Sequence, residues 1–216
     1  MFVSRELSAW AARTLPQWML APLKAIYARY HYALVTRLNR HWLNRLVTEH
    51  PATVQSGPFQ GMQYGETGLE CEMVSKWLGA YEMELHEIVE VLCRGPYTTV
   101  INVGCAEGYY TVGLARRLTR ASVYAFDLDP KMVTACRRLS ACNGVGDRVT
   151  VAGDCSPVQL NPLVTGDTLI VSDCEGGELE LLDPAQAPAL KDADLLVEIH
   201  DFINPAISST LLSRFE

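Results

Sequence analysis

The hydrophobic positions change their period twice along the chain. Between residues 5 and 48, Trp10, Trp18, Tyr27, Tyr30, Leu34, Leu38, Trp42 and Leu46 recur at near-helical spacing with arginines between them. That pattern predicts helix over 5–48, in two segments broken near Leu15-Pro16 or Ala21-Pro22, where a proline removes a backbone donor. Residues 51–68 are rich in Gly and Pro and predict a loop or short hairpin joining two parts. Helical periodicity returns over 70–93 (Met73, Trp77, Leu78, Tyr81, Leu85, Ile88, Val89, Leu92) and ends at Gly95-Pro96. On a continuous helix Tyr81 and Glu84, three apart, share a face and Glu82 turns away. From residue 97 the pattern becomes short apolar runs separated by helical stretches. The runs are Thr99–Val103, Ser122–Phe126, Arg148–Ala152, Thr168–Ser172 and Leu195–Ile199. Short apolar strands alternating with helices predict an α/β fold with a parallel sheet covered on both faces.

Composition narrows this picture without changing it. With 216 residues, 49% apolar and 20% charged, the chain has the make-up of one well-buried domain plus an appendage. Its net charge of −7 is unevenly spread: residues 1–50 carry seven basic and two acidic side chains, leaving 11 basic and 23 acidic over the rest. An acidic body excludes a general nucleic-acid surface, which needs clustered Lys and Arg against phosphates. The basic N-terminal segment predicts an amphipathic layer packed on the domain or on a second subunit as a homodimer surface. A peripheral contact with membrane or an acidic partner is the other reading. The seven cysteines form no C-x-x-C pair, which speaks against a disulfide framework or zinc knuckle. No signal-peptide core and no long charge-free apolar run is present, so the expected location is cytoplasmic.

The chemistry concentrates at predicted strand ends. In Val100-Ile-Asn-Val-Gly104-Cys-Ala106-Glu-Gly108-Tyr-Tyr a buried strand enters a glycine turn and then a helix. Glycines there allow a backbone to approach a ligand, and the helix N-terminus offers free N–H groups. A dinucleotide turn would read G-x-G-x-x-G. Here Ala106 holds the middle position and no third glycine follows in register, which favours S-adenosylmethionine, a cofactor without a pyrophosphate. Asp127, at the end of the next strand and about 20 residues on, sits where it can accept both ribose hydroxyls; Asp129 is the second choice, and a helix cap is the ordinary role for such an acid. Asp154, after the third strand, could accept from the adenine amine. Asp173, Glu175 and Glu178 follow the fourth strand, and Glu198, His200 and Asp201 follow the fifth. Carboxylates so crowded are costly unless paired, metal-bound or solvated.

The set N-V-G-C-A-E-G-Y-Y, Y-A-F-D-x-D-P, N-G-V-x-D-R-V, D-C-E-G-G-E and V-E-I-H, with G-P-F-Q-G-M and L-G-A-Y-E-M-E-L upstream, resembles the FkbM-type group of class I S-adenosylmethionine-dependent methyltransferases over residues 57–201. The resemblance implies a Rossmann-like sheet of order 3-2-1-4-5-7-6 and methyl transfer to a hydroxyl of a sugar, glycan or secondary metabolite. It implies a cofactor site at Asn102, Gly104, Cys105, Ala106, Gly108, Tyr109, Asp127, Leu128, Asp154, Cys155 and Asp173. Asn102 stands where an acid is usual. The chain ends at Glu216, so strands 6 and 7, about 40 residues or more, are expected to be missing from a C-terminally truncated domain over 97–216. Residues 1–50 form the N-terminal helical layer, and 51–96 the linker and helix before the glycine turn.

Methyl transfer to an alcohol needs alignment and a group to take the proton. His200, Asp173 and Glu175 are the catalytic candidates, and Tyr81, Glu84, Tyr110 and Glu198 the candidates for contacting the acceptor. No metal is predicted; a divalent ion, if used, would fall to Asp173, Glu175 and His200. Two other classes compete: a methyltransferase-fold binding module without turnover, and a nicotinamide-dependent oxidoreductase.

Overall fold

The computed structural model describes residues 29–35, 37–38, 53–64 and 73–215. The chain divides into two compact units, residues 1–50 with 69–74, and residues 51–68 with 75–216. In the first, residues 29–35 and 37–38 are helical. The remainder of the helix expected over 5–48, with its proline break, lies outside the described residues.

The second unit is built on a five-stranded sheet: β1 (Thr99–Val103), β2 (Ser122–Phe126), β3 (Val149–Ala152), β4 (Thr168–Ser172) and β5 (Ala193–Val197). All four pairings are parallel and the spatial order is 3-2-1-4-5. This is the order expected of the Rossmann-like methyltransferase sheet. Every residue of β1 and of β4 is buried, as central strands covered on both faces require. Strand alternation sends Ile101 and Val103 to one side. There they join Phe126, Ile170, Leu160, Leu182, Leu190 and Ile207 in a continuous core, where each fully buried aliphatic side chain contributes about 1.5–3 kcal/mol. Val100 and Asn102 point to the other side, where Asn102 donates to Thr111 at 2.9 Å in α3 (Tyr109–Arg117).

The next helix, α4 (Pro130–Cys142), starts on a proline at its first position and on Asp129, whose side chain accepts from the Lys131 N–H at 2.8 Å. Asp129 is therefore a helix cap. Between β3 and β4 the crossover is only α5 (Pro157–Leu160), opened by a Ser156–Gln159 capping box, and a 3-10 turn.

Three boundaries differ from the sequence expectation. The helix expected over 70–93 is broken into α1 (Met73–Leu78), a 3-10 turn (Met83–Leu85) and α2 (His86–Leu92). Gly79 has φ +71°, and a Cβ there would lie 1.9 Å from the Ser56 carbonyl oxygen; Glu82 is also left-handed at φ +46°. The strand expected at 195–199 runs from Ala193 to Val197, because its ladder starts opposite Thr168. Glu198 and His200 thus lie in the loop past its end. The third strand starts at Val149, not Arg148.

Residues 53–64 are a small folded hairpin and not an open tether. Val54, Phe59, Met62 and Tyr64 are buried, and Thr53 bridges Gln63 antiparallel. Arg117 of α3 holds Pro58 O and both oxygens of Glu90, while Asn143 at the end of α4 exchanges two hydrogen bonds with the backbone of Gln63. The segment before the sheet is in this way fastened to the two helices that follow β1 and β2.

Candidate functional site

Parallel strands bring their C-terminal ends to one edge, and the turns after β1, β2, β3, β4 and β5 meet there. The β1 turn is the tightest. Gly104 N–H and Cys105 N–H both donate to Phe126 O at 2.9 Å, and Asp173 N–H donates to Val103 O at 2.9 Å. Gly104 has φ +77°, and a Cβ on it would fall 1.6 Å from the Asp173 carbonyl oxygen. The turn can cross the start of the β4 loop only without a side chain. Gly108, at φ +102°, leaves room for Cys136, whose Sγ would be 2.8 Å from an added Cβ.

Two cavities open at this edge. The larger, about 470 Å³, is lined by Asp127, Leu128, Gly153, Asp154, Cys155 and Glu175 among others. The smaller, about 310 Å³, is lined by Lys76, Tyr81, Glu82, Glu84, Asn102, Cys105, Glu107, Tyr109, Tyr110 and Glu198 with neighbouring backbone. Three residues line both: Gly104, Ala106 and Asp173. The cavities therefore meet at a glycine turn and one carboxyl.

In the larger cavity Asp127 is fixed by the backbone on both oxygens, accepting from Ala106 N–H and Asp129 N–H at 2.8 Å each. Each carboxylate oxygen keeps a lone pair for a ligand hydroxyl. Leu128 beside it is 80% exposed, a large apolar side chain left uncovered at a cavity mouth. At Gly153 an added Cβ would meet nothing within 4 Å, so the floor there is open.

The smaller cavity is walled by edge-to-face aromatics: Tyr109 packs against Phe59, Tyr64, Tyr81 and Tyr110 at centroid distances of 5.2–5.9 Å. Burial pushes the Tyr109 phenol up to about 12, and burial plus the Glu82 hydrogen bond hold Tyr110 higher still. Tyr110 donates to Glu82. Glu82, expected to turn away from Tyr81 and Glu84, thus faces the same cavity as both, because the helix that would have separated them is broken.

Lys76 and Glu107 form a buried ion pair at 2.7 Å, and Tyr64 also donates to Glu107. Burial would raise the Glu107 carboxyl, but the Lys76 charge and hydrogen bond, with that from Tyr64, hold it below its ordinary value. A depressed folded-state value means the stability it contributes is present above the ordinary carboxylate range and lost as pH falls through the lowered one. Lys76→Met is expected to leave that carboxylate buried without a countercharge, held still by the Tyr64 hydroxyl, costing about 3–5 kcal/mol; urea unfolding at pH 7 measures it, and an unchanged midpoint would show the pair to be immaterial. Neither residue announces itself in the sequence, where Lys76 reads as an ordinary solvated helix charge.

Asp173 is pushed up to about 6, first by burial and then by the charges of Glu198, Glu175 and Glu82, against a lowering by His200. His200 lines neither cavity. It is 3% exposed, behind Asp173, with Nε2 3.5 Å from Asp173, 3.7 Å from Glu175 and 4.0 Å from Glu198. A direct contact between His200 and an acceptor, expected from its place after the fifth strand, is not what this geometry offers. Asp201 is occupied by Ser208, accepting from its N–H at 2.9 Å and its hydroxyl at 2.6 Å. Ligand atoms of Asp173, Glu175 and His200 lie within 4.8 Å of one another, the reach of a divalent ion with oxygen bonds of about 2.4 Å. Cys105 is no nucleophile: a hydrogen bond with Cys136, and then burial, raise its thiol and keep it neutral. The six described cysteines are all free.

Lys76 is the one cation lining either cavity among the described residues. Five carboxyl side chains line the smaller cavity and five the larger, with Asp173 common to both, making nine. A pyrophosphate would meet several carboxyl side chains and no unpaired cation among the described residues lining these cavities, which disfavours the nicotinamide reading. No helix among the described residues is long and apolar enough to cross a membrane.

Residues 100–186 match the family described as "Methyltransferase domain". No curated protein matches the sequence. Among solved structures, the chain is similar to precorrin 8w decarboxylase of Methanobacterium thermoautotrophicum, at 26% identity over 61% of this chain and 70% of that one, with TM-score 0.46. It is also similar to the O-methyltransferase TomG of Streptomyces achromogenes, solved with SAM (14% identity, 64% and 67% coverage, TM-score 0.45). A third is the SAH-bound methyltransferase PaMTH1 of Podospora anserina (21%, 55% and 60%, 0.41). The matched region spans less than two thirds of several such chains.

Proposed function

We propose that this chain, which carries a methyltransferase domain over residues 100–186, transfers a methyl group from S-adenosylmethionine to a hydroxyl of a small-molecule or glycan acceptor, as an enzyme of the FkbM type. The observation that carries this reading is the meeting of two cavities at Gly104, Ala106 and Asp173. One cavity can hold a donor and the other an acceptor, with a single carboxyl at the junction.

The residues present fit the cofactor. Asp127 is pinned with lone pairs facing the larger cavity, Leu128 offers an apolar surface for a flat base, and Asp154 and Cys155 line the far wall. The acidic lining suits a ligand with net positive charge. When bound, S-adenosylmethionine supplies a methyl carbon activated by its sulfonium. Asp173 accepts the proton of the acceptor hydroxyl as that oxygen attacks, which its raised carboxyl suits better than an ordinary aspartate. The tyrosine wall of the smaller cavity excludes water and packs the acceptor. With Glu82, Glu84 and Glu198 around it, the acceptor is uncharged or cationic near its hydroxyl, not phosphorylated.

The test is label transfer from methyl-labelled S-adenosylmethionine to a panel of neutral polyols, glycosides and phenols, with and without chelator. Transfer to a hydroxyl supports the reading. Binding of NADH in place of the methyl donor overturns it, and a rate abolished by chelator moves proton transfer from Asp173 to an ion at Asp173, Glu175 and His200. Asp127→Asn is expected to weaken S-adenosylhomocysteine binding by about 10–100-fold, because one amide oxygen replaces a charge-assisted acceptor pair. Calorimetric titration measures it; affinity equal to that of the native chain would remove Asp127 from the site.

A further inference from the structure

Beneath the mouth lies a carboxyl that the reaction outlined above does not use. Glu178, first residue of α6 (Glu178–Leu181), has no exposed surface. Its Oε1 accepts from Gly176 N–H at 3.2 Å and lies 2.5 Å from His200 Nδ1, while Oε2 has no hydrogen-bond partner. A carboxylate buried without a partner is costly, so its retention points to the His200 ring. A carboxylate only accepts, so Nδ1 must carry the proton. Nε2 faces Asp173 Oδ1 at 3.5 Å, a buried oxygen with no hydrogen-bond partner. Burial alone would lower the ring's titration, but the Glu178 hydrogen bond and the charges of Glu178, Asp173 and Glu175 raise it, so the ring between these carboxylates favours a proton on Nε2 as well, and Nε2–H presents positive charge to Asp173. The edge of Phe202 against the ring, 5.5 Å between centroids, limits its swing.

We propose that Glu178 is a positioning residue: by accepting from Nδ1 it locks the His200 ring with Nε2 toward Asp173, and so keeps that aspartate turned into the junction of the two cavities. His200 is by the same geometry a positioning residue. The functional half of this proposal rests on Asp173 being the proton acceptor. The orientation of the ring does not.

Proton–nitrogen correlation spectra of the full chain with ¹⁵N-labelled histidine rings test the orientation without an acceptor. A ring N–H hydrogen-bonded to a carboxylate and shielded from water is expected as a downfield, slowly exchanging signal on Nδ1, absent in His200→Asn. It should move upfield in Glu178→Gln, whose amide oxygen still accepts, and vanish in Glu178→Leu. A native chain without a protected signal on Nδ1, or a signal indifferent to both Glu178 changes, overturns the proposal. With the acceptor found by label transfer, Glu178→Leu is expected to lose about 10²-fold in kcat through misplacement of Asp173. KM and S-adenosylhomocysteine affinity should hold, and Glu178→Gln should recover part of the loss. Native kcat in Glu178→Leu would overturn the functional half. An absence of methyl transfer to the whole panel would count against the reading of the site and leave the ring orientation standing.

Discussion

Gly104→Ala is expected to unfold or nearly unfold the chain, while Gly153→Ala, at the mouth of the same site, leaves its melting temperature unchanged. The contrast comes from what an added methyl meets. At Gly104 it falls 1.6 Å from the Asp173 carbonyl oxygen, on a backbone at φ +77°. Left-handed backbone costs alanine about 1–2 kcal/mol, and separating the β1 turn from the β4 loop adds more. A total above about 4 kcal/mol is a large part of a domain's stability, and at this chain length lowers Tm by roughly 10 °C or more. At Gly153 the methyl meets nothing within 4 Å. It enters only the larger cavity, so folding is spared and S-adenosylhomocysteine affinity falls. Paired thermal melts with and without that ligand measure both effects. A Gly104→Ala protein melting within 3 °C of the native chain, a margin of about 1 kcal/mol, would show that the turn can move aside.

Asp173→Asn should remove most of the methyl transfer and stabilise the protein at once. General-base catalysis contributes about 10²–10⁴-fold, and an amide cannot take the acceptor's proton. In the native chain the rate is expected to rise with pH through about 6, the value to which Asp173 is pushed. The deprotonated form is the working one, and that acid limb should be absent from the residual rate of the variant. The stability effect has the opposite sign. A carboxyl whose folded-state value lies above its unfolded one binds its proton more tightly when folded, so stability declines as pH rises between the two. Asparagine carries no such penalty, and Tm at pH 7 should go up. A variant with native kcat assigns the proton to another group; one with a lowered Tm shows that Asp173 holds the mouth together.

Most of the sheet was legible in the sequence because β1, β2 and β4 are five-residue apolar runs bounded by turn residues. That signal is local and needs no tertiary information. The site was legible in outline for the same reason: Gly104, Asp127 and Asp154 follow strand ends, and topology alone gathers strand ends at one edge. What escaped was decided between distant segments. Gly79 stops α1 because it crosses Ser56, and the interruption is what brings Glu82 round to Tyr110. Lys76 and Glu107, 31 residues apart, pair only once α1 docks beside the glycine turn. The sequence places His200 at a strand end as a candidate base, but the ring is buried against Glu178, which follows β4 while His200 follows β5. The apolar run at 195–199 gave the direction of β5 without its register, which the ladder with Thr168 sets.

The acidic lining of the two cavities bears on turnover as well as recognition. Giving up a methyl turns a sulfonium into a neutral thioether, so the spent cofactor leaves with one positive charge fewer than the fresh one brought. Among the described residues that line the cavities, nine carboxyl side chains face a single, already paired lysine, so that lost charge weakens the grip on the product relative to the donor. The cleft thereby favours exchange of spent for fresh cofactor. On the proposed function the chain should suffer little inhibition by its own by-product, and salt should erode that advantage by screening the carboxylates.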